Sequence, residues 1–215
     1  MDLQPFAAVC FDFDGTLADN FDAIAAAVNH VRAGRRLQPL TTAAVKRFVG
    51  RGIDYLVGNT VPEGDLAANI AGYREHFPKI MREGTTLLPG AAQALAHLHG
   101  AGKRLALCSN KLSQYSRELL CYLHVADFFT AVLGPEDVGR AKPAPDMLLA
   151  AMNCLDVKPT QTLYIGDMVV DIETARAAGV CVWVVPTGTD ERATLQNAKP
   201  DRLLESLWEL AADTA

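Results

Sequence analysis

The chain has 215 residues, half of them hydrophobic and 21% charged, with a net charge of −5 and no block of like charge. That size suits one large domain or a core carrying an insert, and the unclustered acidic balance argues against a nucleic-acid or anionic-membrane partner. The longest apolar runs, such as GVCVWVVP at 179–186, are far too short to span a bilayer.

In chain order, the first expected strand is AAVCFDFD, residues 7–14. Helical periodicity follows over 20–84, where Phe21, Ile24, Val28 and Val31, then Leu66, Ile70, Tyr73, Phe77 and Ile80, recur at three- and four-residue steps. Gly50, Gly52, Gly58, Pro62 and Gly64 punctuate this region into short helices. A helix over 90–100 precedes a strand over 104–110. A helix over 113–123 precedes a strand over 131–135, and a helix over 145–155 precedes a strand over 162–167. The helix over 169–178 then leads to a strand over 180–186. Near-continuous hydrophobicity suits strands buried on both faces, and the alternation predicts a doubly wound, parallel α/β sheet of Rossmann-like type.

About 90 residues separate the first two strands, where a simple crossover needs only a dozen or more. Residues 18–87 therefore read as an inserted α-helical cap domain, hinged near 16–20 and 84–90, with 1–17 and 88–215 as the α/β core. A helical elaboration packed permanently on the sheet is the alternative. The opening MDLQPF lacks a basic region followed by an apolar one. Cys10, Cys108, Cys121, Cys154 and Cys181 form no C-x-x-C pair, so a cytoplasmic, reduced protein is expected, as monomer or homodimer.

Open α/β sheets bind ligands at the carboxyl ends of their strands, and there the sequence collects charge. Asp12 and Asp14 stand two apart at the end of the first strand, on one face, with Phe11 and Phe13 on the other. Like carboxylates this close repel, and a cation or a shared proton relieves them. A turn cap explains Asp14 before Gly15 but not Asp12 inside an apolar run. Asp167 ends a later strand, with Asp171 one helical turn beyond. Alone, Asp167 reads as well as a helix N-cap. Together, these carboxylates offer the oxygen ligands that Mg²⁺ takes.

Ser109 and Asn110 end the second strand and Lys142 sits in GRAKPAPD. Each has a plain reading, as turn residue or surface lysine. With a phosphate present, Ser109 and nearby amides become donors and Lys142 a fixed positive charge. Gly15 lets the backbone approach such a ligand closely. The inventory suits phosphoryl transfer, in which one carboxylate attacks phosphorus and a second manages the proton.

The segments FDFDGTLAD, CSNK, GRAKPAPD and IGDMVVDIETARAAGV, in this order, resemble the motifs of the haloacid dehalogenase superfamily. Within its helical-cap branch the chain is most similar to the phosphoglycolate phosphatase group. The resemblance implies Asp12 as nucleophile and Asp14 as general acid/base. It implies Mg²⁺ held by Asp12, the Asp14 backbone carbonyl and Asp167, with Asp171 in support. Ser109, Asn110, Gly15, Thr16 and Arg51 would meet the substrate, and Lys142 would neutralise both nucleophile and phosphate. The implied activity is Mg²⁺-dependent hydrolysis of a small phosphate monoester through an aspartyl-phosphate.

Leu112 departs from the group's proline after NK, and VVPTGTDE after the last strand lacks its tryptophan-glycine-tyrosine element. VGRG at 49–52 resembles its cap loop, which makes Arg51, Lys46 and Arg47 candidates to greet an anionic substrate; a solvated basic helix face is the alternative. A phosphosugar mutase, a pyrophosphatase and a non-catalytic phosphate-binding module are the competing readings. Thr16 after Gly15, where mutases of this branch often have valine, favours hydrolysis over the mutase.

Overall fold

The computed structural model describes residues 3–211. Strand β1 (Ala8–Phe11) lies inside a six-stranded sheet whose paired neighbours all run parallel. The order is β5 (Phe129–Leu133), β4 (Arg104–Cys108), β1, β6 (Thr162–Gly166), β7 (Cys181–Val184) and β8 (Arg202–Leu203). Alternation along β1 splits the core. Val9 and Phe11 face one apolar layer with α5 (Ala91–Gly100) and α6 (Ser113–Tyr122), while Ala8 and Cys10 face another. That second layer is built by α7 (Asp146–Leu155), α8 (Val169–Ala178) and α9 (Arg192–Asn197). Helices on both faces explain why the strands are apolar throughout.

All five expected strands end earlier than their apolar runs. Asp12 still donates its backbone N–H to Ile165 O at 2.9 Å, and Ser109 donates to Leu133 O at 3.2 Å. Beyond these bonds the chain leaves the ladder, so Asp12, Asp14, Ser109, Asn110 and Asp167 all sit in loops at the carboxyl edge. The run expected at 131–135 also begins earlier, because Phe129 pairs with Leu105 across a register shift. Strand β8 and helix α9 are additions that the apolar pattern did not mark.

Between β1 and β4 the chain forms α1 (Phe21–Gly34), α2 (Thr42–Lys46), α3 (Ile53–Thr60) and α4 (Leu66–Ile80). The chain enters through β2 (Ala18–Asp19) and leaves through β3 (Thr86–Leu87), and these two segments pair antiparallel, Ala18 opposite Leu87 and Asp19 opposite Thr86. Leu88 adds a backbone bond to Leu17 O at 2.9 Å. The periodic residues Ile24, Val28, Val31, Ile70, Tyr73 and Phe77 are buried in an apolar cluster continuous with one face of the sheet. Pro78 in α4 has no N–H to return to the Arg74 carbonyl, and the Tyr115 hydroxyl of α6 donates to that oxygen at 3.3 Å.

Candidate active site

The carboxyl edge of the sheet brings β1, β4 and β6 together, and the loops that follow them converge under the inserted helices. Asp12 is 2% exposed and its Oδ1 lies 2.9 Å from Lys142 Nζ. The pair lacks hydrogen-bond alignment, so this buried oxygen has no aligned donor. Lys142 also reaches Asp171 Oδ1 at 2.7 Å and Tyr164 Oη at 3.0 Å. Burial works against its ammonium, but Asp12 and Asp171 override that and hold its pKa above the usual lysine value.

Asp14 meets different partners. Asn20 Nδ2 donates to its Oδ1 at 2.7 Å, and Lys111 Nζ lies 3.1 Å from its Oδ2. Burial raises its pKa, opposed by Lys111 and assisted by the charge of Asp12. The two carboxylates of the opening motif thus stand in separate settings, Asp12 beside Lys142 and Asp14 between Asn20 and Lys111.

Asp167 is fully buried, accepting from Thr16 Oγ1 at 2.8 Å and from the Thr189 backbone N–H at 3.0 Å. Burial, then Asp12 and Asp171, push its pKa well above the carboxylate range. Asp167 is not the N-cap of α8, which is Met168; Asp171, in the first turn, turns back so that its Oδ2 accepts the backbone N–H groups of Asp167 and Met168 at 3.2 and 3.0 Å. Its Oδ1 is taken by Lys142 and the Tyr164 hydroxyl. Asp12, Asp167 and Asp171 each offer an oxygen within 4.8 Å of the others. Like charges, an unaligned Asp12 oxygen and hard donors together fit a divalent cation. Each Asp171 oxygen has two donors and each Asp167 oxygen one, while Asp12 Oδ1 has none that is aligned.

Two glycines make room for this cluster. Gly15 has φ +86°, and a Cβ there would sit 2.7 Å from Asp167 Oδ2. A Cβ on Gly188 would sit 1.6 Å from the same oxygen.

A cavity of about 220 Å³ opens above Asp12 and Asp14. Ser109, Asn110 and Arg51 line it, with Lys111, Arg74 and Tyr73. Asn110 does so with its amide already committed, donating to Gly50 O at 3.0 Å and Lys142 O at 3.2 Å and accepting Lys142 N–H at 2.9 Å. Gly15 and Thr16, expected at the substrate, are absent from its wall because Thr16 turns its hydroxyl to Asp167. Lys46 and Arg47 are absent too. Lys46 lies over the Phe21 ring at 4.2 Å and donates to Thr187 O at 3.4 Å.

The family model for haloacid dehalogenase-like hydrolases matches residues 9–185, spanning the sheet edge and the insertion alike. The chain belongs to that family. This haloacid dehalogenase-like hydrolase is 36% identical over 179 residues to a phosphoglycolate phosphatase of Cereibacter sphaeroides, covering 80% of this chain and 81% of that one. It is 37% identical over 192 residues to a phosphoglycolate phosphatase of Rhodospirillum rubrum, with 84% and 80% covered. A crystal structure of a haloacid dehalogenase-like hydrolase from Bacteroides fragilis superposes with TM-score 0.89 at 30% identity, covering 95% of this chain and 99% of that one. The crystal structure of CbbY from Rhodobacter sphaeroides in complex with phosphate gives TM-score 0.81 at 25% identity, with 95% and 96% covered. The hydrolase is a phosphatase, an enzyme of the phosphoric monoester class. No helix among its described residues is long and apolar enough to cross a membrane.

Sequence reasoning passed over Lys111, Asn20, Tyr164 and Arg74 in this haloacid dehalogenase-like hydrolase. Lys111 stood in the quoted CSNK, where its position directly after the phosphate-facing pair was the available signal. The others make contacts that only the fold creates.

Proposed function

We propose that this phosphatase hydrolyses a small phosphate monoester by way of an aspartyl-phosphate on Asp12, with Mg²⁺ as its cofactor. The observation that carries the reading is the division of labour between Asp12, beside Lys142, and Asp14, between Asn20 and Lys111, on the floor of one cavity. An Asp12 oxygen attacks phosphorus while the bond to the ester oxygen breaks, and Asp14 gives its proton to that oxygen. Water then attacks the same phosphorus, Asp14 takes the water's proton, and Asp12 is released with inorganic phosphate. Lys142 balances charge on the nucleophile and on the phosphoryl group throughout, anchored by Asp171 and Tyr164. Ser109 offers its hydroxyl to the phosphoryl oxygens.

Asp12 and Asp167, with the Asp14 backbone carbonyl, would hold Mg²⁺, which when bound neutralises charge on the phosphoryl oxygens. The cavity size favours a small leaving group. The curated relatives named phosphoglycolate phosphatase point to an ester of a short hydroxy acid, and the phosphate complex of CbbY supports phosphate as the common ligand. The test is phosphate release from p-nitrophenyl phosphate and 2-phosphoglycolate with and without Mg²⁺. Release that requires Mg²⁺ and vanishes in Asp12→Asn is expected; equal release by both proteins overturns the reading.

A further inference from the structure

One cavity-lining side chain has no task in that mechanism. Tyr73, on α4, is 5% exposed and lines the cavity together with Asp14, Lys111, Arg51 and Arg74. Its ring is fixed. It stacks on Phe77 at 5.3 Å with an interplanar angle of 15°, and Phe77 in turn meets Tyr115 edge-on at 5.4 Å. Its hydroxyl, however, has no hydrogen-bond partner among the described residues. Tyr115 shows the contrast, with its hydroxyl spent on the Arg74 carbonyl.

Although the residue is largely buried, its hydroxyl oxygen opens onto the cavity, and a donor held rigidly at a cavity wall marks a place for a ligand acceptor. Burial and then the charge of Asp14 hold the phenol well above its ordinary pKa, which keeps it a donor. Both oxygens of Asp14 already have donors of their own, Asn20 and Lys111. The Tyr73 hydroxyl therefore remains available to whatever enters. Tyr73 and Asp14 line the same cavity, so the hydroxyl borders the space that the group on the ester oxygen would fill.

We infer that Tyr73 is a specificity residue that donates a hydrogen bond to an acceptor oxygen on the leaving group. The class of substrate it selects is the phosphate ester of a short hydroxy acid. Its carboxylate would find Tyr73 as donor and the exposed guanidinium groups of Arg51 and Arg74 as counter-charge. This rests on the phosphatase reading and adds to it the residue that reads the alcohol portion.

The test compares 2-phosphoglycolate with ethyl phosphate, which has similar size and lacks the acceptor, in wild type and Tyr73→Phe. The wild type favours 2-phosphoglycolate in kcat/KM, and Tyr73→Phe lowers that ratio about tenfold, mainly through KM for the acid ester. Wild type that processes both esters equally well overturns the inference before any variant is made. An unchanged ratio in Tyr73→Phe overturns it as well, since a phenol that only packs or only holds water would treat both esters alike. If wild type hydrolyses neither ester but releases phosphate from p-nitrophenyl phosphate, the phosphatase reading stands and this inference is lost; if it hydrolyses none of the three, both fail. If it hydrolyses both and the ratio does not move, the phosphatase reading stands and this inference alone is lost.

Discussion

Lys111 Nζ lies 3.1 Å from Asp14 Oδ2 with only 6% and 9% of the two side chains exposed, and 4.7 Å above the Phe77 ring. A buried carboxylate deprived of its cation is costly, about 3 kcal/mol in comparable pairs. In Lys111→Met, burial would dominate Asp14 and raise its pKa further above the unfolded value of about 3.9. A carboxyl with a raised folded pKa binds its proton more tightly when folded, so stability falls as pH climbs from the unfolded value towards the folded one. In the presence of a chelator, Lys111→Met melts well below wild type at pH 8, and the gap narrows at pH 5. Thermal scans at the two pH values check this, and a gap independent of pH would contradict it.

Asp12, Asp167 and Asp171 share one small space with a single lysine among them. Removing one charge should relieve the metal-free protein, so Asp12→Asn melts higher than wild type in EDTA while losing activity. Mg²⁺ at a hundredfold excess over its dissociation constant stabilises wild type by about 2.7 kcal/mol and the variant by much less. Fluorimetric melting curves with and without Mg²⁺ measure both halves.

The Asn110 amide joins the 49–52 loop to the Lys142 backbone by donating to two carbonyls. Asn110→Ala loses these bonds, and Asn110→Asp turns an acceptor towards the same two oxygens. The aspartate variant is therefore the less stable of the two, by about 1–3 kcal/mol, despite being closer in shape. Urea titrations of both variants rank them, and the reverse order would show that the amide is not oriented as described.

Gly188 approaches Asp167 so closely that a methyl group has no place. Thr189, beside it, donates to Asp167 through its backbone and to Lys46 O of α2 through its hydroxyl at 3.2 Å. Gly188→Ala must displace either the loop or the carboxylate, and it should weaken cation binding at least about tenfold, the scale of lost support around metal ligands. Mn²⁺ titration followed by electron paramagnetic resonance reads this without an activity assay. Wild-type affinity in the variant would mean that Asp167 is not a ligand.

Much of the candidate site could be read in advance because its carboxylates sit in unusual company. Asp12 interrupts an apolar strand and Asp167 closes another, and a polar group at the end of a buried run needs a reason. The parallel, doubly wound sheet was implicit in the alternation of strands and helices, whereas its strand order was not. What escaped was whatever depends on two distant segments meeting. Asn20 reads as a helix start until the fold turns it onto Asp14, and Tyr164 reads as core until α8 sets Asp171 beside it. Lys46 looked like a basic face, yet it folds over Phe21 towards the loop after β7. β2, β3 and β8 are two residues each, too short to carry a periodicity.

The pairing of Ala18–Asp19 with Thr86–Leu87 fixes where the excursion of helices begins and ends. Its two ends meet at one doorway, where the chain leaves and re-enters the core side by side however much of it lies between. Lengthening such an excursion is cheap, since each doubling of a loop costs only about 0.6 kcal/mol in closure entropy. Tyr73, Arg51 and Arg74 lie beyond that doorway, while Asp12, Asp14, Lys142 and Asp167 lie on the near side. Insertions and deletions among the helices beyond the doorway can thus accumulate while the carboxylates and Lys142 at the sheet edge keep their places.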